Sequence, residues 1–220
     1  MRNKATRSLY MGIMMTALCV IWSVLIRLVD VQPAGETGTA IGFATLNSFF
    51  HRLTGVHMWI YTVTDWLGLV PVFVCLGFGV LGLAQLVKRK SLLKVDGDIL
   101  LLGVYYVVVV FCYLLFEMLP LNYRPILIEG RMEVSYPSST TLLVLSVMPT
   151  LVFQMRRRVK RTVIQNTVTV AVMVFSVAMI FGRLFSGVHW LTDIIGGVLL
   201  SAGLFELYRG MVLHWEETRG

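Results

Sequence analysis

Apolar and polar positions along this chain segregate into long blocks. Six apolar blocks are long enough, or nearly so, to cross a hydrocarbon core that takes about 20 helical residues. They fall near residues 9–29, 67–87, 98–118, 138–155, 163–183 and 188–208. The fourth is the shortest, and Pro137 stands at its start. Because the runs are continuous, with no alternation of apolar and polar positions, they argue against a β-barrel. The pattern predicts an all-α, polytopic membrane protein with six transmembrane helices in a single domain, residues 1–220.

Composition sharpens that picture. The 220 residues are 57% hydrophobic and 14% charged, with a mean hydropathy of +0.78, which excludes an ordinary soluble domain. The first block follows a basic start, as a signal peptide does, but it is longer than a signal core and no small-x-small site follows it. It is read as a retained first helix. Cys19, Cys75 and Cys112 lie inside apolar blocks without metal-ligand spacing and read as packing residues.

The 19 Lys and Arg residues fall on alternate connections. Arg2, Lys4 and Arg7 precede the first block, Lys88, Arg89, Lys90 and Lys94 follow the second, and Arg156, Arg157, Arg158, Lys160 and Arg161 follow the fourth, with Arg209 and Arg219 in the tail. The other connections hold only Arg27, Arg52, Arg124, Arg131 and Arg183. Cationic loops mark the cytoplasmic side, so both termini are expected there. The net charge of +7 then reflects topology, and nucleic acid is not an expected partner. A plasma membrane, most simply the bacterial inner membrane, is the expected location. At the remaining helix ends, Asp96 and Asp98 read as helix-start charges and Glu206 as a partner of Arg209.

The one long connection, residues 30–66, begins as a Gly-, Thr- and Pro-rich loop through Gly42. From Ala44 to Trp66 it mixes Phe49, Phe50, Trp59, Tyr61 and Trp66 with His51, Arg52, His57 and Asp65, as an interfacial helix would. Ionisable groups at membrane depth are costly and mark function. They concentrate in Gly182-Arg183-Leu-Phe-Ser-Gly-Val-His189-Trp-Leu-Thr-Asp193, where His189 and Asp193 are four apart and share a face if helical. On the same expected side lie Asn122-Tyr123-Arg124-Pro125 and Ser135-Tyr136-Pro137-Ser138-Ser139-Thr140-Thr141. An arginine fork matches phosphate oxygens, and a hydroxyl-rich helix start offers hydroxyls and free N–H groups to an anion. Alone, such a helix start serves equally as an N-cap.

These three stretches resemble the signature blocks of the type 2 phosphatidic acid phosphatase family, written Lys-x6-Arg-Pro, Pro-Ser-Gly-His and Ser-Arg-x5-His-x3-Asp. The resemblance covers roughly residues 67–208, the expected phosphatase-like core. It implies that Arg124, Arg183 and Ser138, with neighbouring Ser139 and Thr140, hold phosphate. It implies that His189 is the nucleophile and that Asp193 orients its ring. A carboxylate-held neutral imidazole and two arginines suit phosphoryl transfer without a cofactor or metal.

The chain departs from those blocks at three positions: Glu117 stands where lysine is expected, Thr140 where histidine is, and Gly182 where serine is. Thr140 matters most, because the histidine it replaces would protonate the leaving oxygen, help worth about 10²–10⁴-fold. A monoester expels an alkoxide, whose conjugate acid has a pKa not far below that of water at ~16. A diphosphate expels a phosphate, whose conjugate acid ionises near ~6 and needs no proton. The expected substrate is therefore a lipid diphosphate, such as a polyprenyl diphosphate, ahead of phosphatidic acid. Otherwise His57, His51, Tyr136 or Glu133 supplies the acid. An alternative from another class is a protein that binds or transports lipid phosphates without turnover.

Overall fold

The computed structural model describes residues 2–36 and 38–218. Arg219, counted above in the basic tail, lies outside the described residues. The elements are α1 (Arg2–Leu28), β1 (Gln32–Ala34), β2 (Thr39–Ile41), α2 (Ala44–Thr54), α3 (Met58–Leu67), α4 (Leu69–Arg89), a single 3₁₀ turn (Leu92–Lys94), α5 (Gly97–Met118), α6 (Ser139–Arg158), α7 (Thr162–Phe185) and α8 (Leu191–Glu217). The expectation of an all-α chain thus needs one correction. Residues 32–41 pair as a small antiparallel hairpin, Pro33 opposite Ala40, whose polar sequence carries no strand periodicity.

Among the described residues, five helical stretches are long and apolar enough to cross a membrane: Lys4–Leu28, Met58–Arg89, Gly97–Met118, Thr162–Phe185 and Leu191–Glu217. The remaining expected span, the fourth block at 138–155, coincides with α6, which is 20 residues long, about 30 Å, but is less apolar than these five. Its polarity has a structural cause. α6 packs against α4, α5, α7 and α8, and polar groups along it hydrogen-bond to neighbouring helices inside the bundle. The Tyr105 hydroxyl donates to the Ser146 carbonyl at 2.9 Å, Tyr106 and Thr150 share a 2.7 Å hydrogen bond, and Gln154 donates to the Tyr208 hydroxyl at 2.7 Å. A helix enclosed by protein has no need of an apolar circumference.

Two further boundaries differ from expectation. The single interfacial helix expected from 44 to 66 is broken at Gly55, whose φ of +69° suits glycine. Its first half, α2, docks on α8, and its second half, α3, runs on into α4. The last helix begins at Leu191 instead of residue 188, leaving His189 in the preceding turn, and it extends to Glu217. α8 is the centre of the bundle. α1 lies along it in the most extensive helix pairing of the fold, and the approach is close because small residues line the seam. A side chain at Gly210, for example, would begin 2.7 Å from Leu9 Cγ.

Both ends of the bundle are tied by polar contacts. At one end, Arg157 and Arg158 reach Asp98 at 3.4 and 2.8 Å, Arg157 pairs with Glu216, and Arg209 pairs with Glu206 at 3.0 Å. Asp98 therefore serves an interhelix ion pair as well as a helix start. At the other end, the connections 29–57, 119–138 and 186–190 meet: the Trp190 indole donates to the Tyr123 carbonyl at 2.7 Å, and the His57 N–H donates to the Ser186 carbonyl at 3.0 Å.

Candidate active site

The sequence-predicted residues sit where those connections converge. Arg183 is in the last turn of α7, His189 in the turn that follows, Asp193 in the first turn of α8, Arg124 in the connection from α5, and Ser138, Ser139 and Thr140 at the start of α6. His189, Arg183, Asp193 and Ser138 are all 3% exposed or less, and Arg124 is 9% exposed.

The orientation of His189 fixes its chemistry. Its Nδ1 lies 3.1 Å from the Ser135 carbonyl. A carbonyl only accepts, so Nδ1 carries the proton and the neutral ring presents the bare lone pair of Nε2. Nε2 faces Arg183 Nη2 at 3.4 Å. Burial first, and then the charges of Arg124 and Arg183, hold the imidazole well below its ordinary pKa of 6.5. The result is an unprotonated ring nitrogen facing the Arg183 guanidinium.

Asp193 stands one step further back than expected. Its Oδ2 is 3.7 Å from His189 Nδ1 but accepts the Trp190 N–H at 2.9 Å, while Oδ1 accepts from Asn122 at 3.2 Å. It fixes the turn that carries His189, and the Ser135 carbonyl holds the ring directly. Asn122 also reaches Thr192 Oγ1 at 3.4 Å, and Asn47 of α2 donates to the same oxygen at 3.0 Å. This buried amide network joins α2, α8 and the 119–138 connection behind the site. Backbone acceptors and crossed amides of this kind leave no spacing signal in a sequence.

Arg124 and Arg183 share an aromatic support from α3. The Tyr61 ring centroid is 5.9 Å from the Arg124 guanidinium carbon and 4.9 Å from that of Arg183, within cation–π range. Thr64 Oγ1 lies 3.4 Å from Arg183 Nη1, and Asp65 Oδ1 lies 3.8 Å from the same nitrogen. Among the described residues, Arg124 Nη1 and Arg183 Nε are buried without a hydrogen-bond partner. Buried donors left unpaired are costly, and phosphate oxygens would satisfy both. Ser138 Oγ caps α6, receiving the Thr141 N–H at 3.5 Å, so its hydroxyl already has a structural task. Ser139 and Thr140, with Asp65, instead form the polar end of a 290 Å³ groove between α4, α5 and α6, whose walls include Leu69, Val72, Val109 and Leu142.

This arrangement agrees with a match to a family model described as PAP2 superfamily over residues 100–216. The chain belongs to the PAP2 superfamily. A solved Bacillus subtilis structure, described as the first transmembrane PAP2 type phosphatidylglycerolphosphate phosphatase, superposes with a TM-score of 0.68 at 17% identity, covering 93% of this chain and 97% of that one. A comparison with curated proteins gives no match. The superposition shows that the chain shares that multi-pass membrane fold.

As a PAP2 protein, the chain has a physical reason for one of its departures. A side chain at Gly182 would begin 2.6 Å from Thr64 Cγ2, so the glycine is what lets α3 bring Tyr61, Thr64 and Asp65 onto Arg183. Glu117 is exposed near the end of α5. The four alternative acids are placed differently from one another. His57 is exposed and its Nε2 bonds the Thr54 carbonyl at 3.0 Å, and His51 Nε2 bonds the Gly187 carbonyl at 3.1 Å. Tyr136 is buried with its hydroxyl 2.8 Å from Ser23 Oγ of α1, and burial pushes its pKa up. Glu133 Oε2 lies 3.0 Å from Arg124 Nε, so of the four it makes a direct contact with an arginine of the candidate site.

Proposed function

We propose that this PAP2 protein removes the terminal phosphate of a lipid diphosphate, preferring polyprenyl diphosphate to phosphatidic acid, through a phosphohistidine on His189. The observation that carries the reading is the bare Nε2 of His189 facing Arg183, with its tautomer set by the Ser135 carbonyl. A phosphate binder without turnover gains nothing from an oriented neutral imidazole. The 290 Å³ groove suits the lipid tail beside the headgroup, so access is lateral from the bilayer. The Lys- and Arg-rich connections lie at the opposite end, which supports an extracytoplasmic site.

In the first step, Nε2 attacks the terminal phosphorus and the bridging P–O bond breaks, its electron pair leaving with the lipid monophosphate. Arg124 and Arg183 neutralise the transferring phosphoryl oxygens. The leaving monophosphate needs no proton, which fits Thr140 at the usual acid position. In the second step, water attacks phosphorus and the P–N bond breaks, returning its pair to Nε2. The water proton passes to a carboxylate, and Asp65 is assigned that role because it shares the end of the groove with Ser139 and Thr140 and touches Arg183. Phosphatidylglycerolphosphate, named for the solved relative, is the competing substrate, but its hydrolysis expels an alkoxide and calls for an acid. Phosphate release from the three lipids by purified protein, with a His189→Ala control, tests the reading. Release from polyprenyl diphosphate ahead of both monoesters is expected, and faster release from either monoester would overturn the substrate assignment.

A further inference from the structure

A second groove, of 670 Å³, runs beside α6, α7 and α8 and opens at Lys4 of α1, at the end of the bundle away from His189. Its body is apolar, with Leu145, Val152, Val177 and Ile180 among its walls. Its far end is lined by four cations, Lys4, Arg156, Arg157 and Arg209, and by no carboxylate. Arg157 and Arg209 have acidic partners elsewhere, in Asp98 and Glu216 and in Glu206. Among the described residues, no carboxylate pairs with Lys4 or Arg156, and the guanidinium of Arg156 makes one long contact, 3.4 Å to Thr169 Oγ1.

The dimensions match one leaflet. Along α7 the lining runs from Thr169 to Ile180, about 16 Å at 1.5 Å per residue, against roughly half of a 30 Å hydrocarbon core. Pro149 helps to shape the wall, since it has no N–H for the Leu145 carbonyl one turn earlier, and both residues line the groove. A cationic pocket at a helix end, continuous with an apolar channel one leaflet deep, matches an anionic phospholipid in both parts. A soluble anion would use only the first.

We propose that this groove is a binding site for one anionic phospholipid, its phosphate on Lys4 and Arg156 and an acyl chain along α7 toward Ile180. The site is separate from the one that contains His189. Its occupant rests against both α7, which ends in Arg183, and α6, which begins at Ser139, and so braces the two helices that carry phosphate-site residues.

The test is native mass spectrometry of the protein released from nanodiscs containing equal amounts of phosphatidylglycerol and phosphatidylcholine with the same chains. Wild type is expected to retain one phosphatidylglycerol in preference to phosphatidylcholine. The double variant Lys4→Gln/Arg156→Gln should lose about 10- to 30-fold of that preference, given the contribution of each cation near a membrane surface. Val177→Trp fills an exposed stretch of the wall and should reduce retention of either lipid, while His189→Ala should retain phosphatidylglycerol as wild type does. Equal retention of the two lipids by wild type, or a preference that survives the double variant, would overturn the proposal. The double variant should keep basal phosphate release, which also shows that it is folded.

Discussion

Replacing Gly182 with serine restores the residue that the PAP2 block carries before its arginine, yet in this protein the change is expected to be harmful. The new Cβ would stand 2.6 Å from Thr64 Cγ2, about 1 Å inside the usual carbon–carbon separation of ~3.5–4.0 Å. Thr64 cannot swing aside cheaply. It is buried, and its hydroxyl donates within α3 to the carbonyls of Ile60 and Tyr61 at 2.8 and 3.0 Å. α3 must therefore shift, at a cost of about 1–3 kcal/mol for overpacking, and the shift withdraws Tyr61 and Asp65 from Arg183. Thr64→Ser removes Cγ2 and keeps the hydroxyl, so the double variant should recover most of the loss, with a coupling of about 1–2 kcal/mol. The assay is a double-mutant cycle on unfolding in mixed micelles, with phosphate release measured in parallel. Wild-type stability in Gly182→Ser, or strictly additive effects, would refute the steric reasoning.

Three further expectations follow from the same geometry. Thr140→His places a titratable acid at the polar end of the groove and should raise phosphatidic acid hydrolysis by at least about tenfold while changing polyprenyl diphosphate hydrolysis little; a uniform effect on both would count against the leaving-group explanation. Asp65→Asn should slow release of phosphate from a preformed phosphoenzyme about 10²-fold while sparing its formation, as rapid quench would show, and equal slowing of both steps would point to a binding role. The pKa of His189 is lowered on folding, so its neutral form is retained through pH 6.5, and the stability it contributes is present above the unfolded value of ~6.5 and lost below it. Phosphoenzyme formation should stay flat from pH 8 to 6.5 and decline only below, and Arg124→Gln should move that decline upward; an acid limb at 6.5 in wild type would contradict the assignment.

The spans and the Arg183, His189 and Asp193 block are legible in the sequence because both depend on local spacing: apolar runs long enough for a bilayer, and a fixed interval around a turn. The contribution of α3 is not legible. Tyr61, Thr64 and Asp65 reach Arg183 across more than a hundred residues of chain, and in sequence they read as an interfacial aromatic segment. α6 is legible as the shortest apolar block, but the reason for its polar positions is not: Ser146, Thr150 and Gln154 are buried inside the bundle, where Thr150 and Gln154 bond Tyr106 and Tyr208. The Ser135 carbonyl, which sets the tautomer of His189, belongs to the backbone and carries no residue signal. Gly182 is visible as a departure from the family block, but its reason appears only when Thr64 is seen against it.

The central claim is that His189 takes up the phosphoryl group. The most direct measurement is to mix polyprenyl diphosphate labelled with ³²P in its terminal phosphate with purified protein, quench rapidly, and map the label. An acid-labile, base-stable phosphoryl group on His189, absent from His189→Ala and formed at least as fast as phosphate is released, is the expected result. Phosphate release with no label on His189, or turnover that persists in His189→Ala, would contradict it.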